Sequence, residues 1–255
     1  MSRSAIYWRI SSFAVAAGFV ALWQFIADRR LVSPVFLPGP DRAWAALIKG
    51  FSSGELLTKL LGTLEHMVYG WFAASVAGIA LGAMIGSSRR MRSYVAPSLE
   101  LLRPLPVSAI IPVAIAFFGL SQGMALFVIA FGAIWPMLLA TIHGFAAVEP
   151  RLYEVARSLH MSRLSVIFKI ALPSASPDIL SGMRLSLTVA LILSVVCEIL
   201  AGLDGLGHWI LLSARSFRSA DLFAGVILLG LVGYFTALAM SAFEQRLLRW
   251  RTAGH

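Results

Sequence analysis

Residues 67–85 read MVYGWFAASVAGIALGAMI, a stretch without one charged side chain. Wound as an α-helix at 1.5 Å per residue, it extends about 28 Å, close to the roughly 30 Å hydrocarbon thickness of a bilayer. A second pattern runs through it. Small residues stand at every fourth position, Gly70, Ala74, Gly78, Gly82 and Gly86. This spacing puts them on one helix face, where another backbone can approach closely. Lipid tails are as apolar as leucine and give helices no hydrophobic reason to associate, so such a groove implies a helical partner, within the chain or in a second copy. Packing within the chain is the plainer reading.

The rest of the 255-residue chain agrees with a membrane setting. Hydrophobic residues make up 59% and charged residues only 13%. Soluble domains sit near half apolar and a quarter charged. A water-soluble fold could not hide this much apolar surface, so lipid must cover the outside. The net charge of +9 sits in short clusters between apolar runs, with no basic stripe interleaved with aromatics. That arrangement suits orientation against anionic lipid heads and argues against nucleic acid as a partner.

Five further apolar runs follow, at 10–27, 108–120, 125–142, 186–200 and 222–243. Together with 67–85 they predict an all-α, polytopic bundle of about six transmembrane helices. The first run ends in Ala27-Asp28-Arg29-Arg30 without a small-x-small cleavage site, and so reads as a retained helix rather than a leader. Residues 31–63 carry Pro34, Pro38, Gly39 and Pro40 and then a mildly amphipathic segment expected to lie along the membrane surface. With the amino terminus inside, most of the Lys and Arg falls on inner segments, notably Arg89, Arg90, Arg92, Arg151, Arg157, Arg163, Lys169 and Arg246. Both termini are therefore expected in the cytoplasm. The organisation expected is an N-terminal helix with a periplasmic amphipathic segment (1–62), a transmembrane core (63–245) containing a cytoplasmic loop (143–185), and a basic cytoplasmic tail (246–255).

Within the spans, Pro112 and Pro136 each remove a backbone donor, and interrupted helices usually lie against protein or a watery cavity. Both are candidate pathway positions. Glu198 is the clearest intramembrane charge, and a carboxylate at mid-bilayer costs about 2.5–3.5 kcal/mol on insertion scales. It is a candidate pathway or gate residue, with contact to interfacial water as the alternative. His66 and His143 lie near span ends and are expected to play ordinary interfacial parts. The single cysteine, Cys197, reads as an inert small hydrophobe, and no Cys/His/carboxylate cluster predicts a metal.

The loop from 149 to 184, EPRLYEVARSLHMSRLSVIFKIALPSASPDILSGMR, carries the functional signal. Leu152, Val155 and Leu159, then Leu164, Ile167 and Phe168, recur at helical spacing. Two short amphipathic helices joined near 158–162 are predicted, the second capped by Ser162 and ended by Pro173. Apolar residues on an exposed loop need a protein surface to cover them, and Arg157, Arg163 and Lys169 supply rim charge. The loop is suited to docking a soluble partner; lying on the inner leaflet is the alternative.

Glu154-Val155-Ala156, then His160, then Ile170-Ala171-Leu172-Pro173 resembles the cytoplasmic signature of ABC importer permeases. That signature is Glu-Ala-Ala, three residues, Gly, nine residues, Ile-x-Leu-Pro. Val155 replaces alanine and His160 replaces glycine, whose tight turn at positive φ histidine tolerates better than most residues. Phe36-Leu37-Pro38-Gly39-Pro40, Arg103-Pro104-Leu105-Pro106, Phe118-Gly119-Leu120 and Gly205-Leu206-Gly207-His208-Trp209-Ile210 resemble the branch serving nitrate, aliphatic sulfonates, taurine and thiamine precursors.

The resemblance implies the type I importer permease (MetI-like) fold and a homodimer in a bacterial inner membrane. It also implies two cytoplasmic ATPase subunits and a periplasmic or lipid-anchored substrate-binding protein. Glu154, Ala156, Leu159, His160, Phe168, Ile170, Leu172 and Pro173 would form the ATPase-coupling loop. ATP and magnesium would sit on the partner ATPase, and no cofactor on this chain, which has no G-x-x-x-x-G-K-[ST] phosphate loop. The solute implied is small and anionic. A secondary transporter or channel would show inverted repeats or intramembrane ion pairs, and a membrane enzyme paired catalytic side chains. The sequence displays neither.

Overall fold

A computed structural model of the chain describes residues 3–102 and 105–249, with the side chains of 3–10, 12, 13 and 163 outside the description. Arg103-Pro104 of the proline motif and positions 250–255 of the basic tail therefore lie outside the described residues. Among those described, every regular element is helical. In chain order they are α1 (Arg3–Asp28), α2 (Pro40–Ser52), α3 (Glu55–Gly86), α4 (Arg89–Leu102), α5 (Val107–Phe118) and α6 (Gln122–Ala146). Then come α7 (Pro150–Ser158), α8 (Arg163–Val166), a π-helical turn (Ile167–Ala171), α9 (Leu172–Ala201), α10 (Leu206–Arg215) and α11 (Ser219–Leu247).

Four helices, Glu55–Gly86, Gln122–Ala146, Leu164–Ala201 and Ser219–Leu247, are long and apolar enough to cross a membrane, and α4 with α5 forms a sharply bent pair that counts as a fifth. The helix expected over 10–27 is present as α1, with an apolar described stretch of Ala14–Asp28. Several boundaries move outward from the apolar windows. The helix expected at 67–85 begins at Glu55, and at about 48 Å it is longer than the hydrocarbon is thick. Residues 55–63 thus belong to it rather than to a surface segment, and α2 alone supplies the amphipathic piece, burying Ala43 and Leu47.

Of the kinks or breaks expected at proline, the breaks do not occur. Pro112 and Pro136 lie inside continuous helices, α5 and α6. Pro173 does not end the second loop helix, because the π turn before it carries the helix on into α9 without a stop. In α6 Pro136 lacks the N–H that would bond Gly132 O, and beside that position Ser186 of α9 donates its hydroxyl to Ala133 O at 2.7 Å.

The chain divides into two compact units, residues 1–61 with 204–231 and residues 62–203 with 232–255. In the first, Leu47, Leu56, Leu206, Trp209, Ala224 and Leu228 form the core. The Trp23 indole donates to Pro38 O at 2.9 Å and the Trp209 indole to Glu55 Oε1 at 3.0 Å, while Lys59 pairs with Asp204.

In the second unit α6 is the innermost helix, burying Met124, Val128, Ile129, Ala133 and Met137 completely. The small-residue stripe of α3 faces it within this chain. A Cβ added at Gly70 would meet Ile129 at 2.3 Å, at Gly78 Met137 at 2.8 Å, at Gly82 Thr141 at 2.5 Å and at Gly86 Phe145 at 2.7 Å. Both numbers rise together, so α3 and α6 run parallel, each offering every fourth residue. On α9 the numbers fall as those on α6 rise: Gly182 abuts Ala140 and Pro136, and Ala175 abuts Gly144. α9 is therefore antiparallel to α6. Between α5 and α6, Gly119 holds φ 65° and ψ −172°, a conformation open essentially to glycine, and Ser121 caps α6 by accepting from Met124 N–H at 3.2 Å.

Candidate functional site

The loop between α6 and α9 has an inner and an outer side. α7 closes with a Schellman motif: Met161 N–H donates to Ala156 O and His160 N–H to Arg157 O, both at 3.0 Å. The motif needs a left-handed residue after the cap, and His160 supplies it at φ 51°. Ser162 then caps the next turn, its hydroxyl oxygen accepting from Ser165 N–H at 3.3 Å. The π turn carries the chain from α8 into α9 without a stop.

The residues predicted for this loop separate into two groups. Ala156 and Ala171 are buried. Ile170 and Leu172 pack with Tyr153 and Ile167 against Phe145, Val148 and Ala175. Outward stand Leu152, Val155, Leu159, Leu164 and Phe168, between 39% and 68% exposed, with Glu154, His160 and Pro173 also exposed. Ile167, expected with the outward set, points inward and packs against the Phe145, Val148 and Ala175 cluster. Behind α7 lies a cleft of about 710 Å³ lined by Ser87, Ser88, Tyr153, Ala156, Arg157 and Ile167 among others. Burial raises the Tyr153 phenol above its ordinary value, and Arg92 pulls it part of the way back.

At the other end of α9 stands Glu198, fully buried. Interfacial water contact, the alternative for this carboxylate, does not describe it. Thr63 donates its hydroxyl to Oε2 at 3.0 Å, and His66 places Nδ1 3.2 Å from Oε1. Two α3 side chains thus satisfy a carboxylate on α9 where an unpaired one would be costly. His66 is no ordinary interfacial histidine: its side chain is 10% exposed and committed to this pair. Nothing local in the sequence marks it, since the partners lie 132 residues apart. His143 is 75% exposed and pairs with Asp178 at 3.3 Å. Pro136 borders α9 at Gly182, roughly four turns from Glu198, and Pro112 is exposed on α5. Among the described residues no group of three or more His, Cys, Asp or Glu is placed to hold a metal.

Parallel and antiparallel seams of small residues, a lipid-ready exterior and a buried polar cross-link define a polytopic integral membrane protein. The chain belongs to the family of binding-protein-dependent transport system inner membrane components, whose model matches residues 74–249. It is therefore an ABC importer permease subunit. A putative aliphatic sulfonates transport permease protein, SsuC of Bacillus subtilis (strain 168), is 34% identical over 248 residues, covering 97% of this chain and 90% of that protein. The taurine transport system permease protein TauC of Escherichia coli (strain K12) is 30% identical over 245 residues, covering 94% and 89%. Among solved structures, the inward-facing MetNI methionine ABC transporter aligns with a TM-score of 0.67 at 17% identity, over 75% of this chain and 95% of that one. This last likeness is one of fold.

Proposed function

We propose that this permease carries a small anionic solute, a sulfonate, taurine, nitrate or a similar compound, inward across a bacterial inner membrane by alternating access. It works as a homodimer. Two cytoplasmic ATPase subunits bind ATP and magnesium and dock on residues 149–173, and a periplasmic or lipid-anchored binding protein delivers the solute. Both termini are cytoplasmic, and the chain itself holds no cofactor and hydrolyses nothing.

One observation carries the docking assignment. Five exposed apolar side chains, Leu152 to Phe168, project from a loop whose other side is anchored by Ala156 and Ala171. A rigid apolar row flanked by Glu154 and Arg157 matches a protein groove better than it matches lipid, because the anchoring fixes its shape before docking. The pair Leu159→Asp and Phe168→Asp is expected to abolish both co-purification of the ATPase and uptake, while leaving the purified permease folded by circular dichroism. Full uptake by that variant, or labelling of a Leu152→Cys probe only from outside intact cells, overturns the assignment.

A further inference from the structure

α3, α4 and α6 leave between them a groove of about 270 Å³. Ile85 of α3, Ala96 and Leu99 of α4, and Leu139 and Ile142 of α6 give it an apolar surface, and Arg92 and Glu100 are its polar residues. Leu139 stands seven residues before the end of α6, so the groove reaches about 10 Å down that span. Its mouth is basic. α4 opens with Arg89, Arg90 and Arg92; the first two are exposed, and Arg92, half-buried, donates to Gly86 O. Among the described residues no carboxylate pairs with any of the three. Glu100 lies eight residues beyond Arg92, about 12 Å further along α4, and leaves the mouth positive.

α4 buries none of its residues, and its Tyr94 and Leu101 are 82% and 77% exposed. An uncovered apolar side of this kind takes up an apolar partner. Two features choose the partner. The floor of the groove is made by two membrane spans, out of reach of a soluble protein, and three guanidinium groups without counter-ions call for an anion. We propose that the groove binds an anionic phospholipid, its phosphate on Arg89, Arg90 and Arg92 and part of one acyl chain on Ile85, Leu99, Leu139 and Ile142. A zwitterionic lipid fits the apolar part but leaves the charge at the mouth uncompensated. In the orientation proposed above the site belongs to the inner leaflet. That orientation decides only the leaflet and not the chemistry.

The test uses the permease–ATPase complex in phosphatidylcholine nanodiscs. A trace of lipid with a photoactivatable diazirine in its acyl chain is added as phosphatidylglycerol or as phosphatidylcholine, and cross-linked residues are mapped by mass spectrometry. The phosphatidylglycerol probe is expected to label α4 and residues 139–142 well above the phosphatidylcholine probe. Unlabelled phosphatidylglycerol should compete, and excess inorganic phosphate should not. Arg92→Gln is expected to cut the labelling about fivefold, the ordinary worth of one cation beside an anionic lipid surface. Arg89→Gln should give a similar loss from an exposed position, where a folding defect cannot mimic it, while Arg246→Gln at the end of α11 should leave the labelling unchanged. Equal labelling by the two probes, or displacement by inorganic phosphate, overturns the site. A disulfide joining two permease copies through Ala96→Cys gives the groove to the second copy and overturns it equally. Accessibility of an Arg89→Cys probe keeps the two readings apart. Labelling from outside intact cells sinks the proposed orientation, while the preference for phosphatidylglycerol decides the lipid site by itself.

Discussion

Replacing Gly82 by alanine adds one methyl group to α3 where α6 leaves no room for it. The new Cβ would lie 2.5 Å from Thr141 Cβ, 2.8 Å from Thr141 Cγ2 and 3.0 Å from the Leu138 carbonyl oxygen. Two of these atoms are fixed to the α6 backbone, so rotamer changes cannot relieve the clash and the helices must part. Overpacking of this kind costs about 1–3 kcal/mol. Alanine is favoured over glycine in a helix interior by up to about 1 kcal/mol, which offsets part of it. The net expectation is about 1–2 kcal/mol of destabilisation.

Gly230 is the internal control, because a Cβ there meets nothing within 4 Å and only the favourable term remains. Equilibrium unfolding in mixed micelles of rising dodecyl sulfate content, followed by tryptophan fluorescence, measures both. Gly82→Ala should unfold earlier than wild type and Gly230→Ala no earlier. Combining Gly82→Ala with Thr141→Gly should recover part of the loss, since the two sites are in contact and their effects do not add. A Gly82→Ala protein as stable as wild type would refute the reasoning about the seam.

His160→Gly should stabilise the loop by about 1 kcal/mol, because glycine carries no penalty at φ 51°, and hydrogen exchange at the amides of positions 160 and 161 should slow accordingly. Ser186→Ala removes the hydroxyl donor to Ala133 O, for an expected loss of about 1 kcal/mol in the same micelle titration and faster exchange around Pro136. Glu198→Leu leaves the Thr63 hydroxyl and His66 imidazole buried against an apolar side chain. It should lose more stability than Glu198→Gln, which keeps acceptor capacity, and the reverse order in thermal unfolding would show that the carboxylate is not the organising member of the cluster.

The spans were legible because the thickness of a bilayer imposes a single length scale on apolar runs. Their ends were not, because a helix is free to continue into water once its apolar face is spent: Glu55, Lys59 and Glu65 all belong to α3 although no hydropathy window would include them. The stripe from Gly70 to Gly86 announced a close neighbour, yet the neighbour's identity depended on α6 presenting Ile129, Met137, Thr141 and Phe145 at the same interval. In the loop, the helical period, the Ser162 cap and the left-handed His160 could all be read locally. Pro173 misled, since the π turn just before it carries the helix past the proline without a stop. The Thr63–His66–Glu198 cluster belongs to tertiary structure alone.

The five-residue π turn at Ile167–Ala171 has a mechanical consequence. One extra residue per turn shifts the angular phase of everything beyond it by about 100°. The apolar row at Leu164 and Phe168 is thereby set out of register with the face that α9 presents to α6. Yet the helical rod is unbroken from Leu164 to Ala201. Glu198, the carboxylate held by Thr63 and His66 of α3, thus lies on the same rod as that row, some 50 Å along it.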